Sequence, residues 1–214
     1  MIMADKVFDY KKEYRDLYMP KEKPLLIDVP KMNFFMVDGC GDPNDNPEFQ
    51  QATELLYGLS YAIKMSKNKG NQLEGYFDYV VPPLEGLWWI DEGIFSFEKR
   101  DNWKWTLMIC QPEFVTEEVA AWAVEELKKK KPELELAKVR FDSFEEGLCV
   151  QIMHVGPYST EAETMKKVEA FLKEHGLKER WHSGGKHHEI YLSDPRKSKA
   201  ESMRTVLRHP VEKA

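Results

Sequence analysis

A repeated order of predicted elements constrains the fold of this chain more than any other feature. Residues 32–90 are predicted to form a strand, a turn, a capped helix, a second turn and two strands, and the same order recurs in residues 148–193. Residue identity between the two stretches is low, so only the pattern repeats. Because one such unit cannot bury both faces of its sheet and its helix, we expect the two to join side by side. The predicted fold is α+β, with one antiparallel sheet and helices on one face, and either the other face or the seam between the units is free to form a ligand cleft.

Three helices are predicted from capping residues and apolar periodicity. Asn46, followed by a proline, caps a helix whose apolar side chains recur every three to four residues to about Met65. Thr160 begins a capping-box pattern before a second helix, for which a glycine at position 176 is a plausible end. Thr116 caps a third helix, expected over residues 116–130, that links the two units.

The strands are predicted from short apolar runs and period-two alternation between turn signals. They are expected at residues 25–29, 32–37, 76–81, 87–90, 94–97, 103–108, 139–141, 148–155 and 188–192. Residues 94–97 and 103–108 bracket a polar turn at 99–102 and are expected to pair as a hairpin. Residues 1–23 are polar and charged with a few aromatic side chains, which indicates an N-terminal arm or short helix.

Composition and charge exclude several classes of protein. The three cysteines are scattered and far from any CxxC spacing, which argues against a disulfide framework or a structural zinc site and favours a reducing cytoplasm. The formal net charge is −6, and the basic runs are short, so we expect no direct nucleic-acid binding. No apolar run is long enough to cross a bilayer, so no membrane partner is expected either.

The chain is rich in aromatic residues, with six Trp, nine Tyr and eleven Phe. Some of these side chains belong to the core, but surplus Trp and Tyr can also line a ligand site, because they offer large, stiff contact areas. Trp88 and Trp89 are adjacent in a predicted strand and must face opposite sides. One can pack in the core while the other lines the cleft, or both can be packing residues.

Glu189 is the candidate for chemistry, because strand alternation places it and Tyr191 on one side of the last predicted strand. His188, Ile190 and Leu192 occupy the other side. If that second side packs under the helices, Glu189 and Tyr191 face the cleft. A carboxylate in apolar surroundings has a raised pKa and can act as an acid or base, or it can attract a cationic ligand. The alternative is a glutamate on an edge strand that points into water.

No cofactor or metal site is predicted. His182, His187 and His188 cluster in sequence, but no carboxylate–histidine spacing of a known metal site accompanies them, and adjacent strand residues cannot readily share one ion. GxSxG, P-loop and GxGxxG motifs are all absent from the sequence, which leaves serine-hydrolase and nucleotide-binding interpretations without support.

Several strings of the sequence resemble the GyrI-like small-molecule-binding family, in particular its stand-alone members. The resemblance covers about residues 6–212 and rests on residues 78–89 (DYVVPPLEGLWW), 111–118 (QPEFVTEE), 187–195 (HHEIYLSDP) and 208–210 (RHP). It implies two βαββ modules related by a pseudo-twofold axis, with the cleft at their seam. In this scheme the domain covers 24–214, with modules at about 24–111 and 139–212 and the linking helix between them, after an arm at 1–23.

The resemblance also implies roles for individual residues. A buried glutamate in the cleft of drug-sensing relatives maps onto Glu189 by its Glu-Ile-Tyr context, and many relatives carry a helix-turn-helix module for which this chain has no room. We predict Glu189, Tyr79 and Tyr191 as catalytic residues. The predicted ligand-binding set is Trp88, Trp89, Trp105, Met36, Tyr57 and Tyr158.

Three functions follow as expectations from the resemblance. The first is a detoxifying hydrolase that opens the strained cyclopropane of DNA-alkylating compounds. The second is a non-catalytic protein that sequesters hydrophobic or cationic aromatic molecules, and the third is a gyrase-protecting interaction protein. A hydrophobic or cationic aromatic small molecule is the expected partner, and the protein is expected to be a monomer or weak homodimer.

Overall fold

The computed structural model describes residues 7–70, 73–91, 100–181 and 184–214, apart from the side chains of Asp45 and Lys69. The five helices of the described residues are α1 (Tyr10–Glu13), α2 (Arg15–Tyr18), α3 (Pro47–Lys64), α4 (Glu117–Lys130) and α5 (Glu161–Glu174). The nine strands are β1 (Leu25–Val29), β2 (Met32–Cys40), β3 (Leu84–Trp89), β4 (Lys104–Cys110), β5 (Val139–Phe144), β6 (Gly147–Val155), β7 (Leu177–Glu179), β8 (His187–Tyr191) and β9 (Arg204–Lys213). The predicted strand at 94–97 and His182 lie outside the described residues.

The strands form one antiparallel sheet in the order β1-β6-β9-β8-β3-β4-β2-β5, and β7 pairs with the far end of β9. The first module is β2-α3-β3-β4 and the second is β6-α5-β8-β9. From the outer edge to the centre of the sheet, the strands of each module are its first, third and second in chain order. The second strands of the two modules, β3 and β8, therefore pair with each other at the centre. This arrangement confirms the predicted α+β fold of two βαββ modules.

The two outer strands are exchanged between the modules. β1 directly precedes the first module but pairs with β6 of the second, with Ile27 opposite Cys149. β5 directly precedes the second module but pairs with β2 of the first, with Phe35 opposite Phe141. Each module therefore has its outer edge covered by a strand from the other half of the chain.

The three long helices lie on one face of the sheet in two separate groups. α3 and α4 cover the first module, where the helix residues Leu55, Leu56 and Leu59 pack with strand residues such as Leu107. α5 covers the second module in another apolar cluster, built from Val150, Ile152, Val168, Leu172 and Leu207 among others. The central pair β3 and β8 therefore lies at the boundary between the two helical layers.

The N-terminal arm covers the opposite face of the sheet. Tyr10, Leu17 and Tyr18 are buried there in a cluster that includes Met36 and Ile190. The Ile190 side of β8 thus packs under the arm and not under the long helices. Glu189 and Tyr191, which alternate with it, lie on the helical side, at the boundary between the two layers.

A buried polar network ties the arm to the sheet. His188 lies between two carboxylates, with its Nε2 3.0 Å from Glu85 Oε2 and its Nδ1 2.9 Å from Glu146 Oε2. The Tyr18 hydroxyl donates to the other oxygen of Glu85 at 3.0 Å, and Arg208 donates to the Leu17 carbonyl at 2.8 Å and reaches Glu146 at 3.5 Å. Each buried charge of this network therefore has a partner, as burial requires.

Two strand predictions were wrong, because a strand also needs a partner. Residues 76–81 form a single parallel bridge, in which Phe8 N donates to Asp78 O and Val80 N donates to Phe8 O, both at 2.8 Å. The segment runs beside the arm instead of joining the sheet, and β3 begins only after Pro82 and Pro83. The long strand β9 was not predicted, because its sequence carries charged residues and Pro210.

Two of the three predicted helix caps are confirmed. The side chain of Asn46 accepts from Glu48 N at 2.9 Å, and the side chain of Thr116 accepts from Val119 N at 3.3 Å. The Thr160 capping box was wrong, although α5 begins where predicted. Thr160 ends a 3-10 turn, so its hydroxyl points backward and donates to Pro157 O at 2.8 Å. None of the helices in the described ranges is long and apolar enough to cross a membrane.

Candidate active site at the seam between the modules

Glu189 lies at the centre of the sheet, where β8 pairs with β3 and Glu189 faces Gly86 in the register. It is 6% exposed, and it points to the helical side of the sheet together with its alternating neighbours Tyr191 and His187. Strand alternation predicted the Glu189–Tyr191 pairing correctly. The carboxylate lies 3.0 Å from His187 Nε2 and on the same face of β8 as Tyr191.

The Tyr191 hydroxyl is held by Trp88, whose Nε1 donates a hydrogen bond to it at 3.0 Å. Burial and the neighbouring Glu189 carboxylate raise the pKa of Tyr191 well above its usual value, so the phenol stays protonated. Gly86 makes room for this contact, because a Cβ there would lie 2.8 Å from Trp88 Nε1 and 2.9 Å from the Tyr191 hydroxyl.

The start of α5 brings a second carboxyl group to Glu189. Glu161, the first residue of α5, is 2% exposed, and its buried Oε1 has no hydrogen-bond partner among the residues that the structure describes. Burial, followed by repulsion from Glu189, raises the pKa of Glu161 well above its usual value. Tyr158, just before α5, makes an edge-to-face contact with Tyr191 at 6.0 Å between ring centroids.

A chain of hydrogen bonds leads away from Glu189 through two imidazoles. His187 Nδ1 lies 2.6 Å from His209 Nε2, and His209 Nδ1 lies 2.6 Å from Glu179 Oε1. The other oxygen of Glu179 accepts from Trp181 Nε1 at 2.5 Å. Glu189 is thus connected, residue by residue, to a carboxylate on β7.

The side chains of Glu161, His187 and Glu189 each place one possible ligand atom within 4.8 Å of the other two. Both ring nitrogens of His187 are already engaged, one with Glu189 and the other with His209. Metal binding by this trio would therefore have to displace a hydrogen bond of His187.

The structure brings four of the predicted site residues together, namely Glu189, Tyr191, Trp88 and Tyr158. Trp105 is fully buried. Phe49 separates it from the site, because the Phe49 ring stacks on Trp88, with centroids 5.9 Å apart, and meets Trp105 edge-on, with centroids 5.4 Å apart. Tyr57 is half-buried on α3, where it packs in the same cluster as Trp88.

The other three predicted residues lie elsewhere. Met36 is packed under the arm on the opposite face of the sheet, where period-two alternation along β2 places it. Trp89 also points to that face, with Lys186 Nζ 3.5 Å above its ring. Tyr79 is fully buried beside α3, where its hydroxyl donates to Ser60 O at 3.4 Å and its ring packs on Phe114.

The opposite face also holds two pockets. One is an open depression of about 510 Å³ at the Trp89 end of the sheet, lined by Asp38, Cys40, Trp89, Lys104, Arg140 and Lys186 among others. The other is a cavity of about 10 Å³ beside the His188 network under the arm. Neither is lined by Glu189.

Sequence reasoning missed four residues of the site: Glu161, His187, His209 and Glu179. For His187 a signal existed, because it shares the alternation of Glu189 and Tyr191 in the same strand. The other three come from α5, β9 and β7, and only the pairing of those elements brings them to β8. A strand prediction for residues 204–213 would have been needed to find His209.

An antiparallel sheet of two βαββ modules with a buried glutamate and aromatic rings at the seam defines an α+β small-molecule site. Residues 23–212 match the model of the GyrI-like small molecule binding domain, and the chain belongs to that family. The predicted resemblance is therefore confirmed over nearly the whole chain. No curated protein matched the sequence.

Solved structures agree with this assignment. An uncharacterized conserved protein from Listeria innocua is 52% identical, with 96% of this chain and 100% of that chain covered and a TM-score of 0.90. A hydrolase from Listeria innocua is also 52% identical, with 97% and 100% covered and a TM-score of 0.90. The EcmrR C-terminal domain shares the fold at 14% identity, with 90% and 98% covered and a TM-score of 0.53.

Proposed function

We propose that this protein binds a hydrophobic aromatic molecule at the seam and hydrolyses it, with Glu189 as the general base. The observation that carries the proposal is the buried carboxylate of Glu189, which is held by His187 and lies on the same face of β8 as Tyr191. A positioned carboxylate in a largely dry site can take a proton from water. The similarity to a Listeria innocua protein that is named a hydrolase supports a reaction with water.

As the substrate class we propose compounds that carry a strained, electrophilic cyclopropane, as the family resemblance suggests. Water would attack a ring carbon while Glu189 removes its proton. A C–O bond forms, one C–C bond of the ring breaks, and its electron pair moves into the conjugated group of the substrate. Tyr191 is placed to hydrogen-bond the atom that takes up this charge.

The aromatic side chains supply the binding surface. Tyr158 and Tyr191 are half-buried, and Tyr57 offers a third half-buried ring from α3 on the other side of the seam. Planar ligands stack on such rings at little entropic cost, because the rings are already held by packing. Trp88 is almost fully buried, so its role is to hold Tyr191 in place.

The first prediction concerns turnover of a cyclopropane-bearing alkylator, followed by mass spectrometry of the product that has gained one water. We expect Glu189→Gln to lower kcat by about 10²- to 10⁴-fold, because the base is lost while the shape is kept. Glu174→Gln, an exposed change in the last turn of α5, is the matched control and should keep the wild-type rate. Equal rates for wild type and Glu189→Gln would remove Glu189 from the mechanism.

Non-catalytic binding of a cationic aromatic molecule is the second candidate. It is favoured by Glu161, which lies beside Glu189 and whose Oε1 has no hydrogen-bond partner among the described residues, since a bound cation would offset the repulsion between the two carboxyl groups. Calorimetry with a cationic dye and a neutral aromatic of similar size tests this function. Glu189→Gln should weaken the cationic dye far more, and an equal loss for both ligands would contradict charge recognition.

A further inference from the structure

Four titratable side chains form one continuous row of hydrogen bonds across three strands. Glu189 and His187 stand on β8, His209 on β9 and Glu179 on β7. The three contacts measure 3.0 Å, 2.6 Å and 2.6 Å, and each joins one nitrogen or oxygen to the next residue in the row. Each imidazole contacts its two neighbours in the row through different ring nitrogens.

The two ends of this row lie in different surroundings. The side chains of His187 and Glu189 are 1% and 8% exposed, and that of His209 is 5% exposed. The Glu179 side chain is 21% exposed. The row therefore begins in the interior of the candidate site and ends at a carboxylate that water can reach.

We infer that Glu189, His187, His209 and Glu179 form a proton relay that returns the catalytic base to its carboxylate form after each turnover. The inference rests on the proposed function, in which Glu189 takes a proton from water. Because the Glu189 side chain is only 8% exposed, it has little direct contact with bulk solvent to which it could release that proton. His187, His209 and Glu179 are positioning and relay residues, since only Glu189 meets the substrate.

Proton counting is consistent with this role. Each of the three hydrogen bonds holds one proton, and an imidazole can accept on one nitrogen while it donates from the other. When Glu189 donates to His187 Nε2, the Nδ1 proton of His187 passes to His209 Nε2, and the Nδ1 proton of His209 passes to Glu179. Each transfer breaks one N–H or O–H bond and forms another, so no further reactant is required. Glu179 then releases its proton to water, which leaves both rings protonated on Nε2. When the ring-opened anion of the product is protonated, Glu179 takes a proton from water and the row shifts in reverse, so both rings regain their first tautomer.

The electrostatics of the outer end favour release of the proton to water. Burial lowers the pKa of His209, which keeps the ring neutral. Burial opposes ionisation of Glu179, but the hydrogen bonds from His209 and Trp181 outweigh it and lower its pKa. Glu179 is therefore held as an acceptor. Among the described residues, charged or titratable groups near the row include Glu161, Tyr191, Tyr158 and Arg100 at the inner end and Glu146 and Arg180 at the outer end.

The second prediction tests the outer end with Glu179→Gln, which keeps the shape and the acceptor oxygen but cannot accept a proton. Turnover of the cyclopropane-bearing alkylator at low buffer concentration should fall about tenfold in kcat with KM unchanged, and added imidazole should restore it. Glu212→Gln removes a carboxylate from the neighbouring position of β9, opposite Lys178, and should match wild type. A loss that imidazole does not restore, or an equal loss in Glu212→Gln, would overturn the relay.

A second measurement needs no substrate, so it separates failure of the relay from failure of the proposed function. Nitrogen-15 NMR can measure how fast the ring N–H proton of buried His187 exchanges with water. The relay predicts exchange about tenfold slower in Glu179→Gln than in wild type and Glu212→Gln. Equal exchange rates in all three proteins would overturn it. Slower exchange in a protein that turns over no alkylator would support the relay and contradict the hydrolase proposal.

Discussion

Gly86 is the residue on which the geometry of the site depends most directly. It faces Glu189 across the central strand pair, and the indole of Trp88 meets the hydroxyl of Tyr191 above it. A methyl group at this position would lie within 3 Å of both side chains, closer than van der Waals contact allows. The absence of a side chain at Gly86 therefore decides how Tyr191 is presented to Glu189.

The third prediction is that Gly86→Ala disturbs this contact. Overpacking should lower the free energy of unfolding by about 1–3 kcal/mol and weaken ligand binding or turnover, because Trp88 and Tyr191 must move apart. Urea unfolding gives the first quantity. Trp88→Phe, which removes the same hydrogen bond without adding an atom, is the control for the bond alone. An unchanged urea midpoint in Gly86→Ala would show that the site tolerates the methyl group.

At the level of residues, the sequence predicts what lies along one strand and little of what lies across strands. Alternation in β8 was enough to place Glu189 beside Tyr191 and opposite Ile190. It could not show that the arm, and not a helix, covers Ile190. Glu161, His209 and Glu179 reach the site through tertiary pairing, and no local pattern marks them. Met36 was predicted to line the ligand site but lies on the other face of the sheet, because its own strand pattern does not show which face carries the site.

At the level of elements, the His188 network holds β3, β8 and β9 to the segment before β6. Burial lowers the pKa of His188, but the Glu146 and Glu85 carboxylates outweigh this and raise it above the ordinary value of 6.5. Burial likewise opposes ionisation of Glu146, but His188 and Arg208 lower its pKa below 4.5. The charged forms of both residues are therefore favoured in the folded protein.

The fourth prediction follows from these opposite shifts. The ionised Glu146 contributes to the free energy of unfolding above about pH 4.5, and this contribution is lost as pH falls through its folded-state pKa. The protonated His188 contributes fully to the free energy of unfolding below about pH 6.5, and this contribution is lost as pH rises through its folded-state pKa. Both are complete between these values, so the free energy of unfolding supplied by this pair should be highest there.

Chemical denaturation of wild type and Glu146→Gln across this pH range measures the effect. The substitution should cost about 3–5 kcal/mol between pH 4.5 and 6.5, since it leaves His188 and Arg208 buried with one partner fewer. The loss of stability caused by the substitution should be smaller below pH 4.5 and above pH 6.5. Glu163→Gln, which breaks an exposed pair with Lys166 on α5, should have an effect below about 1 kcal/mol. A pH-independent difference between wild type and Glu146→Gln would contradict the assignment.

Elements differ in how well the sequence predicts them. The helices were predicted closely, because capping residues and apolar periodicity act within one segment. Strands depend on partners far away in the chain. Residues 76–81 have strand composition but find only Phe8, whereas residues 204–213 have poor strand composition but lie between β6 and β8 and become a strand.

At the level of the whole molecule, the exchanged outer strands and the arm join the two modules into one cooperative unit. β1 and the arm pack on strands of both halves, and β5 completes the edge of the first module. Neither module has its edge and both faces covered without the other half of the chain. We therefore expect one unfolding transition and not two.

The fifth prediction uses Trp181, which is the one tryptophan of the sequence within residues 139–213. In Trp181→Phe the remaining tryptophans report on the first module and α4, while circular dichroism reports on the whole chain. The two urea transitions should coincide. Fluorescence that is lost at a lower or higher urea concentration than circular dichroism would show that the modules unfold separately.

The strand exchange also sets an order of events during synthesis. β1 is synthesised more than one hundred residues before its partner β6, and nearly as many residues separate β2 from its partner β5. Throughout that interval the first module has an unpaired edge strand, which is the kind of surface that pairs with other chains. Native pairing is delayed until most of the chain exists, and contacts so distant in sequence form slowly. The nascent chain should therefore rely on chaperones more than its final compact sheet suggests.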